Sequence, residues 1–295
     1  MATTPGRSVG EAVESIERRF LDADLHFGHG SLEAFDEAAY IVLHKLGLPL
    51  DALDAHWGRP VTAEEQSRID ALAQARIATR KPIAYLTHEA WLGPHKFYVD
   101  ERVLVPRSFI AELLQEALAP WVEDPLRVTR VLDVCTGSGC LAILAAIAFP
   151  NARVDGADLS ADALAVARRN VADYGLQDRV RLVESDLFFA LGGERYDVIV
   201  TNPPYVTGES MRTLPEEYLR EPEMALASGE DGLDHTRAIL AAARQHLTED
   251  GLLVVEVGFN REGVERVFPN LPMTWLEVSA GDEVVFLVEA RDLPA

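Results

Sequence analysis

Along the first ninety residues, apolar side chains recur at helical spacing and strand alternation is absent. Ala38, Ile41, Val42 and Leu46 fall on one face of a helix, and Gly47 with Pro49 marks its end. A second amphipathic run spans Thr62 to Thr79, and its opening Thr62-x-x-Glu65 has the form of a capping box. These runs predict a small helical domain over residues 1–90. Trp91 to Val105 then alternates loosely around Asp100-Glu101, which predicts a β-hairpin linker over 91–107. Pro106 closes that linker, and Ser108 is placed to cap a helix running to about Ala119.

From Val128 onward the pattern changes. Short apolar runs at Val131–Val134, Val154–Ala157, Val180–Val183, Asp197–Thr201 and Gly251–Val257 read as strands. The first two are followed by the helical stretches Cys140–Phe149 and Ala161–Tyr174, and a third stretch, His235–Leu247, precedes the fifth strand. Thr274–Val278 and Val284–Glu289 form a last pair of strands around Gly281-Asp282. This alternation predicts an α/β domain over 108–295, with a mostly parallel sheet covered by helices on both faces. In such sheets ligands sit beyond the carboxyl ends of the strands.

Composition narrows the class. With 48% hydrophobic residues the chain can bury a sizeable core, so disorder is excluded. No apolar run approaches the ~20 residues of a membrane helix, and Met1 to Glu11 lacks an export signal, so a cytoplasmic protein is expected. The two cysteines, Cys135 and Cys140, flank a glycine loop and fit neither a disulfide framework nor a zinc site. His26 and His29 lack partners at ligand spacing, so no metal is expected. The net charge of −21 repels phosphate backbones and favours a basic partner over free nucleic acid.

Three motifs fall at predicted strand ends. Asp133-Val-Cys135-Thr136-Gly137-Ser138-Gly139 joins a strand to a helix, where glycines permit a tight turn and close approach of a ligand to the backbone. Asp158, 19 residues beyond Gly139, is placed to accept the hydroxyls of a ribose. Both features suit an adenosyl cofactor. Asp133, placed to meet an ammonium group, and the Thr136 and Ser138 hydroxyls favour the amino-acid moiety of S-adenosylmethionine over a pyrophosphate. After the third strand, Asp186 can accept the adenine amino group while Leu187 covers the base.

Asn202-Pro203-Pro204-Tyr205 decides the chemistry. The prolines stiffen the backbone and remove N–H donors, leaving carbonyls as acceptors. An amide or exocyclic amine is a poor nucleophile because its lone pair is delocalised. As a methyl group arrives, that nitrogen gains positive charge, which the Asn202 side-chain oxygen and the Pro203 carbonyl can stabilise by accepting its two N–H bonds. Tyr205 can pack against the planar group and align it.

These residues resemble the protein glutamine N5-methyltransferases, over nearly the whole chain. The family's Asp-x-x-Thr-Gly-Ser-Gly loop stands at Asp133 to Gly139 and its Asn-Pro-Pro-Tyr at Asn202 to Tyr205. Phe27-Gly28-His29-Gly30, Pro82 to Thr87, Phe97 to Ser108 and Glu221 to Gly232 look like the branch acting on the third protein of the large ribosomal subunit. The release-factor branch carries Pro-Arg-Pro-Asp-Thr-Glu where Pro106-Arg107-Ser108-Phe109 stands here. The resemblance implies a class I, Rossmann-like methyltransferase with a seven-stranded sheet and an N-terminal helical domain that docks the protein substrate. It further implies cofactor contacts at Cys135 to Gly139, Asp158 and Leu187, and glutamine contacts at Asn202 to Tyr205. The rival readings are an adenine-N6 nucleic-acid methyltransferase, which would flip a base into the same site, a release-factor glutamine methyltransferase, and a catalytically silent ribosome assembly factor. A monomer is the default expectation.

Overall fold

A computed structural model describes residues 7–294, so the expectation about export at Met1 to Glu11 lies partly outside the described residues. The chain divides into two compact units. One runs up to His88 and includes Pro215–Arg220; the other comprises Glu89–Leu214 and the residues from Glu221 onward.

The first unit is helical: α1 (Val9–Asp22), α2 (Ala34–Leu46), α3 (Leu53–His56), α4 (Ala63–Thr79) and α5 (Ile83–Thr87). Capping boxes open α1, at Ser8 and Glu11, and α4, at Thr62 and Glu65, while Gly47 closes α2 in the left-handed region. Ile16, Phe20, Ile41 and Ile69 are fully buried between these helices. Burial of side chains of this size stabilises by roughly 1.5–3 kcal/mol each. In the same core lies a charge cluster. Arg76 on α4, 0% exposed, donates from Nε to Glu37 Oε1 at 2.7 Å and from an Nη to the His26 carbonyl at 2.9 Å. Glu217 joins it, accepting from Arg80 Nε at 3.0 Å and the His26 N–H at 3.1 Å. Those bonds explain why a segment distant in sequence belongs to this unit, which the expected division at residues 1–90 did not include.

The second unit begins with a hairpin, β1 (Ala90–Leu92) paired antiparallel to β2 (His95–Phe97). The hairpin is shorter than the 91–107 expectation. Val99, Val103 and Val105 are buried without being strands, so burial rather than pairing produced their alternation. The next helix, α6 (Ile110–Gln115), also ends before Ala119, because Ala117 and Leu118 turn into positive φ and reverse the chain.

The main sheet contains β3 (Arg130–Val134), β4 (Arg153–Asp158), β5 (Val180–Glu184), β6 (Tyr196–Thr201), β7 (Leu247–Glu256), β8 (Thr274–Val278) and β9 (Gly281–Glu289). Their order is β5-β4-β3-β6-β7-β9-β8. Pairing is parallel from β5 to β7, and β9 runs antiparallel to both its neighbours. Helices α7 (Cys140–Ala148), α8 (Ala161–Asp173), α9 (Gly208–Met211), α10 (Asp234–Ala242) and α11 (Arg261–Val267) complete the unit. Along β3, Val131 packs into the core that holds α7, while Leu132 packs into the core that holds Ile239 of α10. Both faces are therefore buried, as a parallel sheet between helices requires. The strand order reverses between β3 and β6, which places a crevice at their carboxyl ends. No described helix is long and apolar enough to cross a membrane.

Candidate active site

A pocket opens at that crevice. Its floor comes from four successive strand ends: Cys135 and Gly137 after β3, Asp158 at the end of β4, Ser185 to Leu187 after β5, and Asn202 with Pro204 after β6. Seven of the expected site residues thus meet around one space.

Gly137 sits at φ +53°, and a β-carbon there would meet nothing within 4 Å. It would project into open space, which is the room a ligand needs next to the backbone. Gly139 lies behind the pocket wall, and a β-carbon on it would stand 3.1 Å from Ala167 on α8, so its bareness serves helix packing. Asp158 shapes the rim by accepting the Gly137 N–H at 2.8 Å and the Ser160 N–H at 2.9 Å. Burial raises its carboxyl above the ordinary aspartate value. Cys135 and Leu187 hold positive φ, +61° and +46°, without being glycine. Such strain persists where the surroundings over-determine the backbone, and it clusters at ligand sites.

Asp133, Thr136 and Ser138 do not stand on the wall. Asp133 is 0% exposed, and its Oδ2 accepts from Thr136 Oγ1 at 2.5 Å and from the Ala142 N–H at 3.0 Å. The Thr136 hydroxyl, read from sequence as facing the ligand, is therefore spent inside the loop. Among the described residues, Asp133 Oδ1 has no hydrogen-bond partner. Burial pushes this carboxyl to about 7, despite the Thr136 and Ala142 donors. An unsatisfied, desolvated acidic oxygen beside an open cradle fits a cationic ligand group. Ser138 is buried, and its carbonyl accepts from Asn170 Nδ2 at 2.8 Å; the same amide pairs with both the N–H and the carbonyl of Tyr98. Asn170 thereby ties the glycine loop to the chain leaving the hairpin.

Around Asn202 the backbone is braced. Thr201, fully buried, donates its hydroxyl to the Val134 carbonyl at 2.8 Å. Pro203 and Pro204 are buried, while Asn202 and Tyr205 remain half-exposed. Among the described residues, no group takes up the Asn202 side-chain amide. Tyr205 stands beside the pocket with its ring against Gly258, just beyond β7. Gly258 has φ +57°, and a β-carbon there would fall 2.7 Å from that ring. Gly258→Ala should therefore displace Tyr205 and cost about 1–3 kcal/mol of stability, with a larger fractional loss of activity. Urea unfolding alongside a turnover assay checks this, and an unaltered turnover would show that the ring position is immaterial.

The rest of the wall was not foreseen as site. Arg102 to Leu104, Pro222, Met224, Ala225 and His235 line it from outside the strand ends. The first two segments lay within stretches that carried the family resemblance, which was the one available signal. His235 gave none; its Nδ1 lies 2.8 Å from Ser228 Oγ, and burial lowers its pKa so that the ring is neutral at pH 7. The two thiols are poor nucleophiles. Burial, then the charges of Asp158, Asp133 and Asp186, drive Cys135 well above the usual thiol range, and burial pushes Cys140 up to about 12.

Glu256, at the end of β7, is 1% exposed. It accepts from Ser108 Oγ at 2.6 Å and the Phe109 N–H at 2.9 Å, so it anchors the start of α6. Burial raises its pKa from 4.5 to about 7. The folded chain then binds this proton more tightly than the unfolded chain, so its contribution is largest below pH 4.5 and declines as pH rises toward 7. Above pH 7 the buried charge costs on the order of 3 kcal/mol. Glu256→Gln should narrow the stability gap to wild type, or reverse it, on going from pH 5 to pH 8. Denaturant titrations at the two values test this, and a gap independent of pH would count against a buried, titrating carboxyl. No cluster of potential metal ligands occurs among the described residues.

The fold, the glycine loop and the Asn-Pro-Pro-Tyr turn at the switch point define a class I methyltransferase. Two family models agree: "Methyltransferase small domain" matches residues 111–231 and "PrmC N-terminal domain" residues 26–87. The chain is 54% identical over 299 residues to the ribosomal protein uL3 glutamine methyltransferase of Burkholderia pseudomallei, covering 99% of this chain and 97% of that one. It is 55% identical to the protein of the same name from Bordetella pertussis, over 92% and 91% of the two chains. The chain belongs to the family of ribosomal protein uL3 glutamine methyltransferases. Among solved structures, the hMettl16 catalytic domain in complex with a MAT2A 3′UTR hairpin shares the fold, with a TM-score of 0.50 and 14% identity over 78% of this chain and 83% of that one.

Proposed function

We propose that this protein methylates the side-chain nitrogen of a glutamine in ribosomal protein uL3, with S-adenosylmethionine as methyl donor. The observation that carries this reading is the near-full-length identity to relatives of that name, and the pocket supports it. When bound, the cofactor supplies an electrophilic methyl group. Beyond the bonds from Gly137 and Ser160, Asp158 has acceptor capacity that would receive the ribose hydroxyls. Asp186 would accept the adenine amino group, Leu187 would cover the base, and the buried Asp133 carboxyl, behind the glycine loop, would favour the cofactor's ammonium group.

Asn202 and the Pro203 carbonyl accept the two N–H bonds of the glutamine amide, and Tyr205 holds its plane. Their acceptors are in place before positive charge develops on the nitrogen, so little reorganisation is needed as it forms. Alignment of the two reacting groups contributes up to ~7–11 kcal/mol. No strong base is required, because the alkylated nitrogen gives up its proton readily. The helical unit docks the substrate protein. A net charge of −21 suits a basic ribosomal partner and works against a nucleic-acid target. A cytoplasmic location follows from such a substrate.

The test uses the full chain, radiolabelled S-adenosylmethionine and a lysate from cells lacking the enzyme. Label in one basic protein, mapped by mass spectrometry to a glutamine of uL3, is expected. Label in nucleic acid or in a release factor would overturn the reading.

A further inference from the structure

Two segments far apart in sequence, Arg102 to Leu104 and Pro222 to Ala225, supply pocket wall that the strand ends do not. Their facing atoms are largely apolar: Val103, Leu104, Pro222, Met224 and Ala225. The strand ends supply the pocket's acidic and amide groups, Asp158, Asp186 and Asn202, alongside Cys135, Leu187 and Pro204. The first segment lies in no strand or helix and the second holds only a single 3-10 turn, Glu223–Ala225, so no ladder pairs the two. One side chain joins them. Glu221, its carboxylate wholly buried, accepts the Val105 N–H at 2.9 Å and both Arg107 Nη groups at 2.8 Å. Val105 follows directly on one wall segment, and Glu221 directly precedes the other.

We propose that Glu221 and Arg107 are positioning residues that lock these two segments together as the apolar cover of the cofactor pocket. The inference rests on the S-adenosylmethionine reading above. The pair's geometry is specific: a planar guanidinium meets both carboxylate oxygens while a backbone N–H fixes the carboxylate's remaining freedom. Lysine cannot reproduce that fork. With the clamp open, the cover segments gain freedom, and the ordering cost falls on cofactor binding. Neither Glu221 nor Arg107 bonds to the strand-end residues Asp158, Asp186 or Asn202 in the pairs described, and Leu226, just past the second segment, keeps its own bond to the Val206 N–H.

The test titrates S-adenosylhomocysteine into the full chain by calorimetry. Wild type, Glu221→Gln, Arg107→Lys, Arg107→Ala and the double variant Arg107→Ala/Glu221→Gln are compared, with KM for cofactor and for protein substrate measured separately. Each single variant should bind about tenfold more weakly, with Arg107→Lys less affected than Arg107→Ala. The double variant should be no worse than the worse single one. KM for cofactor should rise while KM for protein substrate holds. Equal binding by wild type and variants, or a loss confined to the protein-substrate KM or to melting temperature, would overturn the clamp while leaving the cofactor reading intact. Failure of wild type itself to bind would overturn both.

Discussion

Asn202→Ala is expected to lower kcat by about 10²–10³-fold, equivalent to ~2.7–4 kcal/mol of barrier, the usual effect of deleting one preorganised polar partner. The size follows from the setting. Asn202 is held between Thr201, bonded to the Val134 carbonyl, and the two buried prolines, so its amide is delivered at a fixed place on the pocket edge. Alanine leaves the turn intact and removes only the acceptor. Calorimetric affinity for S-adenosylhomocysteine should change little, since Asp158, Asp186 and the glycine loop are untouched. Single-turnover methylation of uL3 with saturating cofactor is the deciding measurement. A rate within fivefold of wild type would remove Asn202 from the mechanism, and a parallel collapse of cofactor affinity would make it a cofactor-site residue instead.

The largest expected effect on stability comes from Arg76→Met. The substitution preserves bulk but strands Glu37 and weakens the hold on Glu217. Breaking a buried pair by removing one partner typically costs about 3–5 kcal/mol. Glu37 already lies above its ordinary value because burial outweighs the attraction of Arg76. Once the cation is gone it should neutralise, so the deficit should shrink as pH falls. Glu217 behaves oppositely. Burial alone would raise it, yet the His26 N–H and the charges of Arg80 and Arg76 hold it below the usual range. Its remaining bond to Arg80 leaves it partly served. Adding Glu37→Leu should therefore recover much of the loss, because an apolar replacement of a buried pair is often neutral. Chemical denaturation of the single and double variants at pH 8 and pH 6 tests both statements. A single variant within 1 kcal/mol of wild type would mean that the cluster contributes specificity without stability.

Local physics made part of this molecule readable in sequence. The capping box at Thr62, Gly47, the seven strands and the turns at Gly137 and Asn202 depend on near neighbours and are legible locally, whereas the second capping box, at Ser8 and Glu11, went unread. What escaped depends on distant ones. Val99, Val103 and Val105 alternate like a strand, yet they are buried loop residues braced by Asn170 and Glu221. Six residues at Pro215–Arg220 belong with the helical unit because Glu217 meets two arginines more than 130 positions away and the Tyr218 ring packs against His26 and His29. The site shows the same split. Its glycines and Asp158 come from strand-end logic, whereas Met224, Leu104 and His235 reach the pocket only through the folded chain. Asp133 was legible as important, but that one of its oxygens is consumed within its own loop required the structure.

The Cys135 thiol has a consequence outside methyl transfer. It lines the pocket, where a thiolate would be open to peroxide and alkylating reagents. Burial and three neighbouring carboxylates keep it protonated, so the sulfur at the cofactor's threshold offers oxidants almost no anion. Cys135 should therefore react with peroxide or iodoacetamide at pH 7 far more slowly than a free cysteine, which mass spectrometry of the treated chain would show.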